Sequence, residues 1–145
     1  MSFTGDIGQV GQLAERIGDL ANVPARVAAR VSEELELELQ ADFAAGTDPY
    51  GDPWAPLAPA TEARGGTAAP LTPGSMLDSL RVAPLSGAGV GIALAHPAEI
   101  HQKGWTGPRG SGPARPMVPD RDTLPEKWRE ILGAATEDEI QEALK

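Results

Sequence analysis

Residues 24–46 read PARVAARVSEELELELQADFAAG, and in them Val27, Val31, Leu35, Leu39 and Phe43 recur at every fourth position. Glu33, Glu34, Glu36, Glu38 and Asp42 supply the polar surface between them, so the spacing predicts an amphipathic helix. Asn22 suits a cap and Pro24 an early helical position. Gly46 can end the helix in a left-handed turn. The predicted helix, residues 23–46, is roughly 30 Å long. A four-residue repeat drifts around the cylinder and leaves Leu37 off the main face. The stripe therefore has two possible uses: a core packed on a small sheet, or a subunit interface through Val27, Val31, Leu35, Leu39 and Phe43. The heptad alternation of a coiled coil is absent.

Working outward, Ile7, Val10, Leu13, Ile17 and Leu20 keep three- and four-residue spacing and predict a short separate helix within residues 1–22. Gly8, Gly11 and Gly18 weaken it by up to about 1 kcal/mol each, so it needs something to pack against. At the other end, residues 120–145 predict one bent helix or two short ones. Thr123 with Glu126, and Thr136 with Glu139, have capping-box spacing; Gly133 falls between Leu132 and the second box.

The middle, residues 47–119, reads as loop and sheet. SLRVAP (79–84) and GVGIAL (89–94) predict two short strands joined by Ser86-Gly87-Ala88-Gly89. Val90, Ile92 and Leu94 share one face, and Gly91, Ala93 and Ala95 the other. Two strands alone are marginal, so residues 115–119 are expected to extend the sheet. Residues 74–80 predict a helical turn with Met76 and Leu80 inward. Ala98 to Lys103 predict another, entered from Pro97 and left through Gly104. Residues 58–73, rich in Ala, Pro, Thr and Gly, lack periodicity and read as an excursion that orders against another ring; residues 105–113 read as an exposed linker.

The candidate chemistry is sparse. Asp48 and Asp52 bracket a turn but lack the further ligands and terminal Glu of a calcium loop. Residues 63–67 lack the Lys and hydroxyl of a phosphate loop. His96 and His101 are five apart, off the spacing of two metal ligands on one helix face. Ser79, Glu99 and His101 form a triad on paper, without a nucleophile turn or oxyanion loop. His101 and Gln102 read instead as hydrogen-bonding groups at a core edge, and Trp54 and Leu57 as anchors docking their loop. Neither catalysis nor a cofactor is expected.

The 145 residues suit one domain, 1–145. Aromatics at 4%, with 17 Gly and 14 Pro, point to a modest core with long connections. No Cys is present, which removes disulfides and thiolate chemistry. No apolar run or signal-like start predicts membrane insertion or secretion. A net charge of −9 disfavours wrapping nucleic acid and suits a wall past which DNA slides.

One ordered set of motifs resembles the phage virion morphogenesis family of tail completion and head-tail joining proteins. It comprises Asp48-Pro-Tyr-Gly-Asp-Pro-Trp54-Ala-Pro-Leu57, then Gly74-Ser-Met76-Leu-Asp-Ser79-Leu80, then Ile100-His101-Gln102-Lys103-Gly104 after the strand pair, and Arg115-Pro-Met117 before the last helix. Pro97 stands where the family usually has Tyr, and Met117 where Phe is common. The resemblance implies an α+β fold: a small antiparallel sheet on a long helix in the N-terminal half, with short N- and C-terminal helices and long Gly/Pro-rich loops. It also implies a non-enzymatic structural protein at the tail end or neck of a virion, assembled in the bacterial host cytoplasm. The partners implied are other copies in a ring, six-fold by analogy, the tail tube or tail terminator, and head-side neck proteins, with DNA close by in the channel. A second reading is an acidic adaptor that binds a partner through the helix 27–43.

Overall fold

The computed structural model describes residues 7–59, 63, 77–96 and 98–145. Its first element, α1 (Ile7–Ala45), is a single helix of 39 residues. The break expected at residues 21–24 is not there; the chain passes through Pro24 within the helix. Pro24 removes one intrahelical donor, but Ala21, Ala25, Ala28 and Ala29 around it are the best helix formers and keep the turns wound.

From Val23 onward α1 is buried along the expected stripe, with Leu39 and Phe43 only 1% exposed. Val27, Val31 and Leu35 are buried in the same core. Along these turns that face is covered by the chain itself. Leu37 lies off the stripe and is exposed. Residues 8–22 are exposed throughout, so the first part of α1 stands clear of the body as an arm roughly 22 Å long.

A 3-10 turn, Leu77–Ser79, leads into β1 (Arg81–Pro84), which pairs antiparallel with β2 (Val90–Ala93). Val90, Ile92 and Leu94 pack on the core, as their alternation predicts. The Gly/Ala face is partly covered by the hairpin's own Leu85, since a Cβ on Gly91 would stand 3.0 Å from that side chain. Glu36 of α1 accepts the Val82 N–H at 3.0 Å, giving an edge donor of β1 a partner.

Residues 115–119 do not extend this sheet, which is two-stranded among the described residues. After α2 (Ala98–Lys103), the stretch expected as a linker forms a second hairpin, β3 (Trp105–Gly107) with β4 (Gly110–Gly112). The Trp105 ring lies against Gly112 and Gly110, where only the absence of a side chain leaves room for it. An aromatic laid over glycine in this way holds a short strand pair together.

The last element, α3 (Glu126–Ala143), is one helix through Gly133, and neither capping box forms. Pro125 disfavours helical geometry at Leu124, so the helix starts one residue after Pro125 instead of at Thr123. Thr136 Oγ1 donates back to the Leu132 carbonyl at 2.7 Å. Charged pairs align α3 antiparallel to α1: Arg26–Glu139 (2.8 Å) and Arg30–Asp138 (2.7 Å) at one end, Lys127–Glu38 at the other. The fold is thus α+β, two small antiparallel sheets and short helices gathered on one long N-terminal helix.

Two polar side chains share the buried part of α1. Ser32 Oγ donates to the Ala28 carbonyl at 2.7 Å. Asp42 keeps one carboxylate oxygen, Oδ2, without a hydrogen-bond partner among the described residues. Burial, reinforced by nearby Glu38, pushes its pKa up to about 6. The folded chain therefore holds a proton between about pH 4 and 6 that the unfolded chain has released. Stability from this residue is complete below that window and is lost as pH rises through it. Asp42→Asn should accordingly unfold at higher denaturant than the unmodified chain at pH 7.5, with the difference vanishing below pH 4 in a pH series of unfolding curves.

Candidate functional site

The loops carrying most of the sequence-predicted site residues are held together by side chains that supply the hydrogen bonds a sheet would otherwise give. Gln102 on α2 is the centre. Its Oε1 accepts the N–H groups of Met117 and Val118 at 2.7 and 3.1 Å, and its Nε2 donates to the Val118 carbonyl at 2.9 Å. One amide thus acts as a strand partner for the segment 117–118. The backbone N–H of Arg115 donates to the His101 carbonyl at 2.6 Å, which extends the same pairing by backbone alone.

Arg115 is buried, and its guanidinium donates to the carbonyls of Ala55 (3.0 Å) and Pro56 (3.1 Å). Trp54 Nε1 donates to the Pro116 carbonyl at 2.8 Å, and its ring sits 5.7 Å from that of Phe43, tilted by 53°. The ring packing joins this clamp to the end of α1. Met117, 2% exposed, completes the core under it; Leu57 is half-buried at its margin. Gly104 ends α2 with φ +72°, and a Cβ there would meet backbone atoms of Ala114 and Gly112 at 2.8 Å. Both the conformation and the close approach require glycine.

A second latch involves residues that sequence reasoning passed over. Asp48 Oδ1 accepts the N–H groups of Tyr50 (2.9 Å) and Asp52 (2.8 Å), the turn role expected of it. Arg121 then pairs with Asp52 (2.6 Å) and Asp48 (3.4 Å), and its guanidinium lies 4.1 Å from the centre of the Tyr50 ring. The Tyr50 hydroxyl donates to the Thr123 carbonyl at 2.9 Å and accepts the Arg121 N–H at 3.1 Å. A lone Arg after Met117-Val118-Pro119 beside a Tyr-Gly turn was the available signal for this cation–π pair.

The catalytic arrangement conceivable on paper is not assembled. Glu99 pairs with Lys103 at 3.0 Å, and Ser79 Oγ accepts the Ala95 N–H at 2.9 Å. The His101 imidazole has no hydrogen-bond partner among the described residues; burial, with Arg115 adding to it, holds its pKa below the usual imidazole range. The hydrogen bonding expected of the two adjacent side chains is therefore carried by Gln102, while His101 contributes its backbone carbonyl. Gly74 and Met76 lie outside the described residues. No helix among the described residues is long and apolar enough to cross a membrane.

The family model described as the phage virion morphogenesis family matches residues 6–145, and the chain belongs to that family. No curated protein and no solved structure matches the chain.

Unequal roles for two neighbours follow from the clamp geometry. Gln102→Ala leaves two inward backbone N–H groups without acceptors and should cost about 1–3 kcal/mol in denaturant unfolding. His101→Ala leaves the carbonyl contact in place and should cost less than about 1 kcal/mol. Equal losses would contradict the division of labour between the two side chains.

Proposed function

We propose that this member of the phage virion morphogenesis family completes the head-proximal end of the tail by taking its place in a ring of identical copies, six-fold by analogy with the family. The coarser role, a structural part in building the tail, follows from family membership. The ring, the junction and the partners are our reading. In it the ring contacts the tail tube or tail terminator on one side and head-side neck proteins on the other, and resides at the tail end or neck of the virion after assembly in the host cytoplasm.

The observation that carries the reading is the arm. The body's core includes residues from both α1 and α3 and the loops between them, yet residues 8–22 extend α1 with Val10, Leu13 and Ile17 each more than half exposed. A monomer gains nothing from holding large apolar side chains in water in a row; an assembling subunit does. Mechanism here means complementarity of surfaces, with no bond made or broken. The polar groups of the clamp support this, since their partners lie within the chain and their effect is to fix loops. The charge of −9 is compatible with a channel wall that repels DNA and so lets it pass without sticking.

Particle-averaged imaging of tails carrying this protein tests the reading. A closed ring of copies at the head-proximal end is the expected image. A single bound copy, or a closed two-fold dimer, would contradict it.

A further inference from the structure

The four large apolar side chains of the arm, Val10, Leu13, Ile17 and Leu20, continue the stripe of α1 that packs on the core from Val23. Among the described residues, nothing in the chain's own body covers them. The Arg26–Glu139 pair fixes where α3 runs beside α1, and α3 ends at Ala143, one turn further on. The arm begins where that neighbour stops.

A second surface of matching character lies along the outer side of α3. Leu132 and Ile140 are exposed there with Thr136 between them, lining an open groove of about 640 Å³. At Leu132 and Thr136 it runs into a smaller apolar hollow of about 210 Å³, reaching Val27 of α1 and Ala88 and Val90 of the hairpin. Gly133 sits in the groove, and a Cβ added there would meet nothing in this chain. A glycine inside a helix weakens it, and here no contact within the chain requires one. Close approach of another backbone would.

We infer that the arm of one copy docks in the α3 groove of the next, making the head-to-tail contact between copies of this chain. The inference rests on the ring reading and specifies the surface that makes it. The chain's own arm cannot fill its groove, because the hollow starts at Val23 and Val27. Folding back would unwind the turns of α1 that line it. An arm and a groove at separate places on one chain form a heterologous pair, the kind of contact from which a ring is built when the rotation between copies closes.

Charge selects the direction of docking. Among the described residues, Arg16 on the arm and Glu137 on the groove rim take part in no ion pair. Laid antiparallel with Leu13 over Thr136, the arm brings Ile17 to Leu132 and Val10 to Ile140. Arg16, which borders the arm's apolar stripe, then leans toward Glu137, the acidic rim residue. A parallel arm would instead set Arg16 level with Glu139, whose carboxylate already pairs with Arg26. Opposite charges at a rim fix register and exclude the wrong orientation.

The chain contains no Cys, so introduced thiols report contacts directly. A full-length Leu13→Cys chain, a full-length Thr136→Cys chain and the chain with both changes are oxidised, free at high concentration and bound to tails. Both positions lie outside the core, so folding should be unchanged by circular dichroism. Mixing the two single variants should give a disulfide-linked pair that neither forms alone. The double variant should give a ladder of linked copies ending at the ring size. Arg16→Glu should cut the yield several-fold, and Glu137→Arg in the partner should restore it. Linked pairs from Leu13→Cys alone would mean that two arms pair with each other, and would overturn the inference. An intrachain disulfide in the double variant would place the arm in its own groove and also overturn it. Rings seen on tails without any arm-to-groove disulfide would assign the arm to another protein, overturning the inference and leaving the proposed function standing. Arm-to-groove disulfides without a ring would do the reverse.

Discussion

A four-residue apolar repeat advances about 40° around a helix at each step, so the stripe from Val27 to Phe43 winds around α1 instead of facing one way. α3 runs beside it from Arg26 to Glu38, and at its end Phe43 meets Trp54 and the clamped loops. One helix therefore serves as the wall for both α3 and the clamped loops. This matters because the rest of the chain offers little else to build on. Its strands have three or four residues each, in two separate pairs among the described residues, and such hairpins are not stable alone. They hold their places because α1 presents a continuous apolar surface and because Glu36 on it receives a strand donor.

The same shortage of sheet explains the clamp. Segments 54–56 and 115–118 run with few backbone partners, and buried backbone donors and acceptors left unpaired are costly. Gln102, Arg115 and Trp54 supply those partners from side chains. Arg115 is the clearest case, a buried cation whose guanidinium donors go to two carbonyls. The arrangement fixes the relative position of α2, the loop after α1 and the segment entering α3. The arm and the α3 groove, the two halves of the proposed subunit contact, are joined instead through α1, which carries the arm and holds α3 through Arg26 and Arg30.

The long helix was legible because its spacing, acidic flank and terminal glycine agree with one another. So were the hairpin 81–93, the αL exit at Gly104 and the Asp48 turn, each a short-range pattern with its own local cause. The misreadings share a different origin. Asn22, Pro24 and the glycines of the arm suggested two helices, but single weak positions do not outweigh a long run of good helix formers. Thr123 and Glu126 had the right spacing for a cap, and Pro125 between them excluded it. Trp105 and its glycines looked like a linker because a ring lying over glycine leaves no periodic signal. Gln102 was singled out from its motif, yet that its amide, and not the His101 ring, carries the bonds depends on residues 117–118, fifteen positions away. The Tyr50–Arg121 latch is longer-range still.

The central claim is that the described residues from Val23 onward form the folded body and that the preceding arm serves other copies. Deleting residues 1–22 separates the two roles, and the most direct measurement is the denaturant midpoint of the shortened chain. The account predicts a midpoint unchanged within error, because none of residues 8–22 is buried. A clear fall in the midpoint would make the arm part of the core and contradict the account.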